Sequence, residues 1–181
     1  MHGHELVIGV SGGIAAYKTA ALVSQLVQAG AGVTVVMTRA AGEFIGPATF
    51  AALTGRPVLD QIFDPIQHPL GAHIELAVKA QLLCVAPATA NLMAKAAGGF
   101  ADDLLSTLLL SFKGPVCMAP AMNCEMWEHP AVRRNVERLR QDGVHIVDPE
   151  EGWLSCRQRG VGRMAGPERI LAEITRVLSC E

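Results

Sequence analysis

Short runs of apolar residues alternate along the chain with longer segments of helix-like spacing. The runs at 5–10, 33–38, 81–86, 115–119 and 144–147 are almost uninterrupted by polar residues. This pattern predicts strands buried on both faces, because a strand with one exposed face alternates apolar and polar residues. The spacing between and after these runs predicts helices at 14–29, 44–53, 72–80, 91–97, 101–112, 130–142 and 167–178.

Two further segments follow neither pattern. Residues 54–71 are rich in Pro and Gly and predict an irregular connection with a short strand near Val58, and residues 148–166 contain the glycines of a mobile flap. Strands that alternate with helices in this order predict an α/β fold, a Rossmann-like doubly wound parallel sheet in three α/β/α layers. Because no low-complexity linker divides the chain, we expect residues 1–181 to form a single domain.

Composition narrows the classes of function. The chain has 181 residues, of which 50% are hydrophobic and 18% charged, with a formal charge of −2. This balance excludes a disordered chain and a nucleic-acid binder that relies on bulk positive charge. The apolar runs are far shorter than the roughly 20 residues that span a bilayer, and the N-terminus does not resemble a signal peptide. We therefore expect a cytoplasmic protein with neither nucleic acid nor membrane as partner, and the low charge predicts an oligomer.

The five cysteines predict neither a disulfide framework nor a metal site. They contain no CxxC pair, and no histidine has the partners of a metal-ligand motif. Cys84 and Cys117 lie in apolar runs and are predicted to be buried thiols. Cys156 lies instead in the glycine-rich segment near Arg157, Arg159 and Arg163, which can bind an anionic substrate. The alternative for that segment is a solvated loop.

In a doubly wound sheet, ligands bind where the strands end. The turn Ser11-Gly12-Gly13 follows the first strand, and such a turn presents N–H groups to a phosphate at a helix N-terminus. It matches neither the Walker loop nor the GxGxxG fingerprint. The second strand ends in Thr38-Arg39, without an acidic residue for a ribose. These absences favour a mononucleotide such as FMN over NAD, and a tight turn without a ligand is the alternative.

Two other strand ends carry ligand-like chemistry. The small residues of Pro87–Asn91 allow a planar ring to approach the backbone, although a proline turn with Thr89 as helix N-cap is the alternative. In the segment 120–127, Asn123 offers a donor and an acceptor suited to a carboxylate. The alternative is a plug of Met and Trp on the core, with Asn123 as a cap.

His73 begins a predicted helix, where an imidazole can exchange a proton near neutral pH. A capping or surface histidine is the alternative.

The segments that carry this chemistry occur together in one known family. They read SGGIAAYK at 11–18, HIELA at 73–77, APATAN at 86–91, GGFADDLL at 98–105, PAMNCEMW at 120–127 and SCRQRGVGRM at 155–164. In this order the chain resembles the flavin-containing cysteine decarboxylases over essentially its whole length. The PxMNxxMW pattern is the most specific of these motifs, whereas the glycine turn alone is not.

The resemblance implies roles for individual residues. It implies that FMN is bound by Gly12, Gly13, Ile14, Thr38, Thr89, Ala90, Asn91, Leu92 and Ala121. It implies His73 as catalytic base, Cys156 as proton donor on the flap, and Asn123 as the group that holds the substrate carboxylate. Met122, Ser155 and Arg157 are the other expected substrate contacts. The family commonly has Ala-Cys-Gly where this chain has Ser155-Cys156-Arg157, so the flap departs from the family pattern on both sides of the cysteine.

The activity implied is a carbon–carbon lyase reaction, the FMN-dependent decarboxylation of phosphopantothenoylcysteine to phosphopantetheine in coenzyme A biosynthesis. It would proceed by oxidation of the thiol to a thioaldehyde, loss of CO₂ and reduction of the enethiol. Alternatives are oxidative decarboxylation of a peptide C-terminal cysteine and a non-catalytic FMN-binding regulator. The family also implies a homotrimer, in some members a homododecamer, with sites between subunits. Whether a separate phosphopantothenate–cysteine ligase acts as partner stays open.

Overall fold

The five predicted apolar runs form one parallel sheet in the computed structural model. The structure describes residues 1–64 and 66–180. Its strands are β1 (Glu5–Val10), β2 (Gly32–Met37), β3 (Leu82–Ala88), β4 (Val116–Pro120) and β5 (His145–Ile146). The helices are α1 (Ala16–Gln28), α2 (Pro47–Thr54), α3 (Ala72–Lys79), α4 (Ala90–Gly98), α5 (Leu104–Ser111), α6 (Cys124–Glu128), α7 (Pro130–Gln141) and α8 (Pro167–Leu178). Strands β6 (Glu150–Trp153) and β7 (Arg159–Arg163) form a separate antiparallel hairpin.

The strand order is β2-β1-β3-β4-β5, with every neighbouring pair parallel. The order reverses at β1, which lies between β2 and β3, so the sheet is doubly wound. At this reversal the carboxyl ends of β1 and β3 leave a crevice. The predicted Rossmann-like α/β fold in a single domain is confirmed.

Two apolar layers explain why the strands show uninterrupted hydrophobic runs. Leu6 and Ile8 of β1 face a core that includes Leu22 of α1 and Ile174 of α8, whereas Val7 faces the opposite core. That second core includes side chains of α3, α4, α5 and α7. Both faces of the sheet are therefore covered by helices, as the three-layer prediction requires. In the part of the chain that the structure describes, no helix combines the length and apolar character needed to cross a membrane.

Local capping sets several helix boundaries near the sheet ends. The Thr89 hydroxyl accepts a hydrogen bond from the Leu92 N–H at the start of α4, as the capping alternative predicted. Asp103 and Ser106 form a reciprocal capping box, so α5 begins at Leu104 rather than at the predicted residue 101. Helix α2 begins at Pro47 instead of residue 44, because Arg39–Glu43 forms a separate 3-10 helix.

Three connections differ from the sequence-based prediction. The strand expected near Val58 is a single bridge between Leu59 and Val36. The expected loop 120–127 contains the short helix α6, which Asn123 caps. The segment 148–166, predicted only as a glycine-containing flap, holds the β6–β7 hairpin. Its strands carry charged residues and glycine in place of alternating apolar residues, so periodicity could not identify them.

Candidate functional site

A cavity of about 1100 Å³ lies at the carboxyl ends of β1, β2, β3 and β4, with the β6–β7 hairpin along one side. It is large enough for a nucleotide-sized ligand together with a second small molecule. All of the residues predicted to bind the cofactor line it, as do all four predicted to contact the substrate. These residues are Gly12, Gly13, Ile14, Thr38, Thr89, Ala90, Asn91, Leu92, Ala121, Met122, Asn123, Ser155 and Arg157.

The two residues predicted to be catalytic do not line this cavity within the chain. His73 lies in the first turn of α3, and Cys156 is exposed at the tip of the hairpin. The Nδ1 atom of His73 is buried and has no hydrogen-bond partner among the residues described. A single chain thus assembles the binding surface without bringing His73 to it.

The glycine turn is shaped first by the protein's own packing. A Cβ atom on Gly12 would lie 2.8 Å from the Ala40 carbonyl carbon and would also overlap the Ala40 side chain. A Cβ on Gly13 would meet only the ordinary contact distance of 3.5 Å to Thr89 Cγ2. Gly12 therefore lets the 3-10 helix after β2 approach the turn after β1, which closes that end of the cavity.

Free backbone donors line the entry to α1. Helix α1 begins at Ala16, later than predicted, and has no side-chain cap. Among the residues described, the N–H groups of 12–15 have no backbone acceptor. Donors at a helix N-terminus attract an anion because the helix dipole adds to their partial positive charge.

One buried hydroxyl joins two strand ends. Ser11, 2% exposed, donates from Oγ to the Pro87 carbonyl oxygen at 2.7 Å and accepts from the Thr89 N–H at 3.0 Å. Its Oγ also lies 3.2 Å from Thr89 Oγ1. The loops after β1 and β3 are thus held in one arrangement, and the small residues beside them leave open space above the backbone.

Thr38 carries an unpartnered polar atom in the cavity wall. Its Oγ1 is buried and has no hydrogen-bond partner within residues 1–64 and 66–180. A buried hydroxyl without a partner is costly, and a ligand oxygen or nitrogen in the cavity would satisfy it. This observation supports a polar ligand at the end of β2.

Asn123 caps a helix, which is one of the two functions considered from the sequence. Its Oδ1 accepts a hydrogen bond from the Met126 N–H at 2.8 Å and so caps α6. Because the carbonyl oxygen is engaged there, the Nδ2 amide is the end that remains as a donor toward the cavity. Met122 and Met126 line the cavity, whereas Trp127 is buried in the core. The alternative that the Met and Trp side chains of this segment pack on the core is thus confirmed for Trp127 only.

The hairpin docks on the loop that carries these residues. The Met122 N–H donates to the Gly162 carbonyl oxygen at 3.0 Å. Gly162 has φ +150° at the irregular position of the β6–β7 ladder, and a Cβ there would overlap the Met122 carbonyl oxygen. The closeness of the hairpin to the loop after β4 thus depends on this glycine.

Sequence reasoning missed several cavity residues, including Tyr17, Lys18, Arg39 and Trp153. Lys18 follows Ile14 by four residues, which is the spacing of one helical turn in the helix predicted at 14–29. That spacing was a usable signal, since Ile14 was already assigned to the site. Arg39 and Trp153 gave no comparable signal, because their approach depends on the 3-10 helix and the hairpin.

The cysteines and histidines form no further centre in the described residues. No group of three or more His, Cys, Asp or Glu side chains is placed to hold a metal ion there. Cys84 and Cys117 are buried, as predicted, and lie opposite each other on β3 and β4. Burial raises the pKa of the Cys117 thiol to about 12 and also raises the pKa of Cys84, so both remain neutral thiols.

Fold and cavity together define a doubly wound α/β protein with a ligand-sized cavity at its strand ends, and comparison with known proteins gives its family. The sequence model of the Flavoprotein family matches residues 1–179, and the chain belongs to this family. Its relatives include the coenzyme A biosynthesis bifunctional protein CoaBC of Bacillus subtilis (strain 168), 47% identical over 171 residues. The CoaBC of Vibrio vulnificus (strain YJ016) is 46% identical over 170 residues. Each match covers 94% of this chain but 42% of the relative, so the chain spans less than half the length of these proteins.

Solved structures with the same fold include two decarboxylases. The FMN-dependent cysteine decarboxylase SpaF has a TM-score of 0.86 and 33% identity, and the match covers 98% of this chain and 97% of that one. A PPC decarboxylase variant complexed with pantothenoylaminoethenethiol has a TM-score of 0.89 and 27% identity, with 97% and 98% covered. The resemblance inferred from the motifs is thereby confirmed at the level of the family.

Proposed function

We propose that the protein is an FMN-dependent carbon–carbon lyase that decarboxylates phosphopantothenoylcysteine to phosphopantetheine in coenzyme A biosynthesis. The observation that carries the proposal is the cavity itself, which is lined by Asn123 together with the loops after β1 and β3. The names of the CoaBC relatives and of the PPC decarboxylase structure support the substrate.

The cavity fits FMN in three respects. The free N–H groups at the entry to α1 suit its phosphate, and the buried Thr38 hydroxyl needs a polar partner. The small side chains of Gly13, Ala90 and Ala121 allow a planar ring to lie against the backbone. When bound, FMN supplies oxidation of the cysteinyl thiol to a thioaldehyde, whose C=S bond accepts the electrons left by CO₂, and returns the hydride afterwards.

The protein's own contribution is to hold the substrate and to move protons. The Asn123 Nδ2 amide donates to the carboxylate, while its capping bond to Met126 fixes the orientation of the side chain. Met122, Ser155 and Arg157 line the cavity on the hairpin side and form that boundary of the substrate site. Cys156 at the hairpin tip would protonate the carbon that has lost CO₂, which restores the C=S bond that is then reduced.

The position of His73 supports a site shared between copies of the chain. His73 does not line the cavity of its own chain, and Ile74 and Val78 beside it are 45% and 83% exposed. Ile66 and Leu70, in the segment before α3, are 91% and 73% exposed. We propose that this apolar surface packs on another copy in a trimer or dodecamer, so that His73 acts as base in the neighbouring cavity.

Two further proposals concern the whole protein. Residues 1–181 act as one flavoprotein decarboxylase domain, and a phosphopantothenate–cysteine ligase supplies the substrate. We also propose that the reaction takes place in the cytoplasm.

Product analysis tests this function directly. Purified protein is expected to carry FMN, visible as flavin absorbance released on denaturation, and to convert phosphopantothenoylcysteine to phosphopantetheine with loss of CO₂, measured by mass spectrometry. His73→Asn is expected to retain flavin and lose turnover, and Cys156→Ser to stop at the enethiol. Folded protein without flavin, or flavin-loaded protein that leaves the substrate intact, would contradict the proposal.

Oxidative decarboxylation of a peptide C-terminal cysteine is the second candidate. The fold match to a cysteine decarboxylase, SpaF, favours it. A wild-type reaction that ends at the enethiol, with peptides as the better substrates, would select this function over the first. A flavin-loaded protein that is inactive on both substrate classes would favour the third candidate, a non-catalytic FMN-binding regulator.

A further inference from the structure

Lys18 has an unusual position at the root of the hairpin. It lies on α1, lines the cavity, and donates from Nζ to the Met164 carbonyl oxygen at 3.0 Å, directly after β7. An ammonium group has three N–H donors, so this contact leaves two of them. Across the residues that the structure describes, no carboxylate lies within ion-pair distance of Lys18.

A second cation lies beside it in a fixed position. Arg163 of β7 also lines the cavity, and its Nη2 lies 3.3 Å from Glu150 Oε2. The guanidinium lies across Gly152, where a Cβ would be 2.8 Å from Arg163 Nε. Glu150 is also 3.8 Å from Arg169 Nη1 and accepts from the Gly166 N–H. Arg163 and Arg169 thus share the carboxylate of Glu150. The positive charges of Lys18, Arg163 and Arg169 therefore exceed the one negative charge of Glu150 in this cluster.

The two cations affect each other. Burial lowers the pKa of the Lys18 amine, the positive charge of Arg163 lowers it further, and Glu150 only partly opposes this. Two like charges held together in a partly buried wall are unfavourable until an anion arrives. Lys18, with two free donors, and Arg163, with a planar donor fork, together match the several oxygens of one anion.

We infer that Lys18 and Arg163 form an anion subsite at the hairpin root that binds the phosphate monoester of the substrate. This assignment rests on the proposed function, in which the substrate carries one carboxylate and one phosphate. The carboxylate faces the Asn123 amide, and the FMN phosphate faces the backbone donors of residues 12–15. The substrate phosphate is the remaining anion, and a charge near −2 suits a pair of cations.

Ligand affinity on the flavin-loaded protein tests the subsite without requiring turnover. Calorimetry would compare the dissociation constants of phosphopantetheine and of pantetheine, which lacks the phosphate. The wild-type protein is expected to bind the phosphorylated ligand about tenfold or more tightly, as a charge-assisted contact predicts. Lys18→Gln is expected to remove most of this ratio by weakening only the phosphorylated ligand, and Lys18→Arg to retain much of it.

Arg169→Gln is the matched control, because Arg169 contacts the same Glu150 but does not line the cavity. It is expected to leave the ratio unchanged. Equal weakening of both ligands by Lys18→Gln would show that Lys18 only anchors the hairpin, and loss of flavin from that variant would assign the subsite to the cofactor. Either result overturns the inference, as does a wild-type protein that does not distinguish the ligands. Failure of the proposed function is seen separately, as absence of CO₂ release by the wild-type protein.

Discussion

The cavity is bounded by two walls of different construction. The sheet wall, formed by residues 11–14 and 87–92, consists of small side chains joined by the buried Ser11 hydroxyl. The hairpin wall, formed by β6 and β7, consists mostly of exposed residues whose ion pairs reach solvent. Few apolar contacts hold the hairpin wall, whereas the sheet wall is continuous with the core.

This difference separates two tasks in one site. A wall whose loops are tied together by a buried hydroxyl keeps its shape before a ligand arrives, which suits a permanently bound cofactor. A wall held by a few backbone contacts and surface ion pairs opens at low free-energy cost, which suits a substrate that enters and leaves. Substitutions in the sheet wall are therefore expected to reduce global stability, and those in the hairpin wall to act locally.

The largest effect is expected from Gly12→Ala. The new methyl group would overlap Ala40, and both segments belong to the sheet wall. We expect the free energy of unfolding of the apoprotein to fall by about 3 kcal/mol, as overpacking predicts, measured by urea denaturation. Gly13→Ala is the control, because its Cβ would have only ordinary contacts. Equal losses for the two variants would contradict the packing account.

Ser11→Ala is expected to have the next largest effect. Removal of the hydroxyl leaves the Thr89 N–H without its buried partner and leaves the Pro87 carbonyl with the Ser11 N–H as its remaining donor. We expect a loss of about 2 kcal/mol of unfolding free energy and a weaker retention of flavin, measured by denaturation and dialysis. Ser111→Ala, at the half-buried C-terminal end of α5, removes a single local bond and is expected to change little. A stable Ser11→Ala protein with full flavin would remove the distinction between the walls.

Gly162→Ala tests the hairpin wall. The added methyl group would overlap the Met122 carbonyl and separate the hairpin from that loop. Because the hairpin contributes little to the core, we expect a global loss of only about 1 kcal/mol. Amide hydrogen exchange of residues 150–163 is expected to accelerate while the sheet stays protected. Gly42→Ala, which enters open space, is the control, and acceleration throughout the sheet would show that the hairpin is part of the global folding unit.

Glu150→Gln is expected to have the smallest effect. Its ion pairs with Arg163 and Arg169 are half-exposed, and such pairs contribute about 0.5 kcal/mol. We expect the difference from the wild-type protein to shrink further in high salt, where surface charges are screened. A loss that equals that of Ser11→Ala and does not depend on salt would mean that the hairpin wall is as rigid as the sheet wall.

The same contrast explains what could be predicted from the sequence. The sheet wall could be predicted because it is made of small residues at the ends of buried strands. Periodicity identified those strands, and Gly12, Thr38 and Thr89 were then found at their ends. The hairpin wall has no such signal, because its strands read EEGW and RGVGR. Lys18 was overlooked although its helical spacing from Ile14 was visible. The roles of His73 and Cys156 came only from family resemblance, because local patterns say nothing about which cavity a side chain reaches.

The cap formed by Asn123 determines the electrical polarity that the cavity presents at that position. The oxygen and nitrogen of an amide look alike in electron density at ordinary resolution, so their assignment depends on hydrogen-bond partners. Here the backbone of α6 makes that assignment, because only an oxygen can accept from the Met126 N–H. An aspartate would keep the cap but present an acceptor to the ligand. The sign of the group that Asn123 presents to the cavity is thus decided by a peptide N–H on the far side of the side chain.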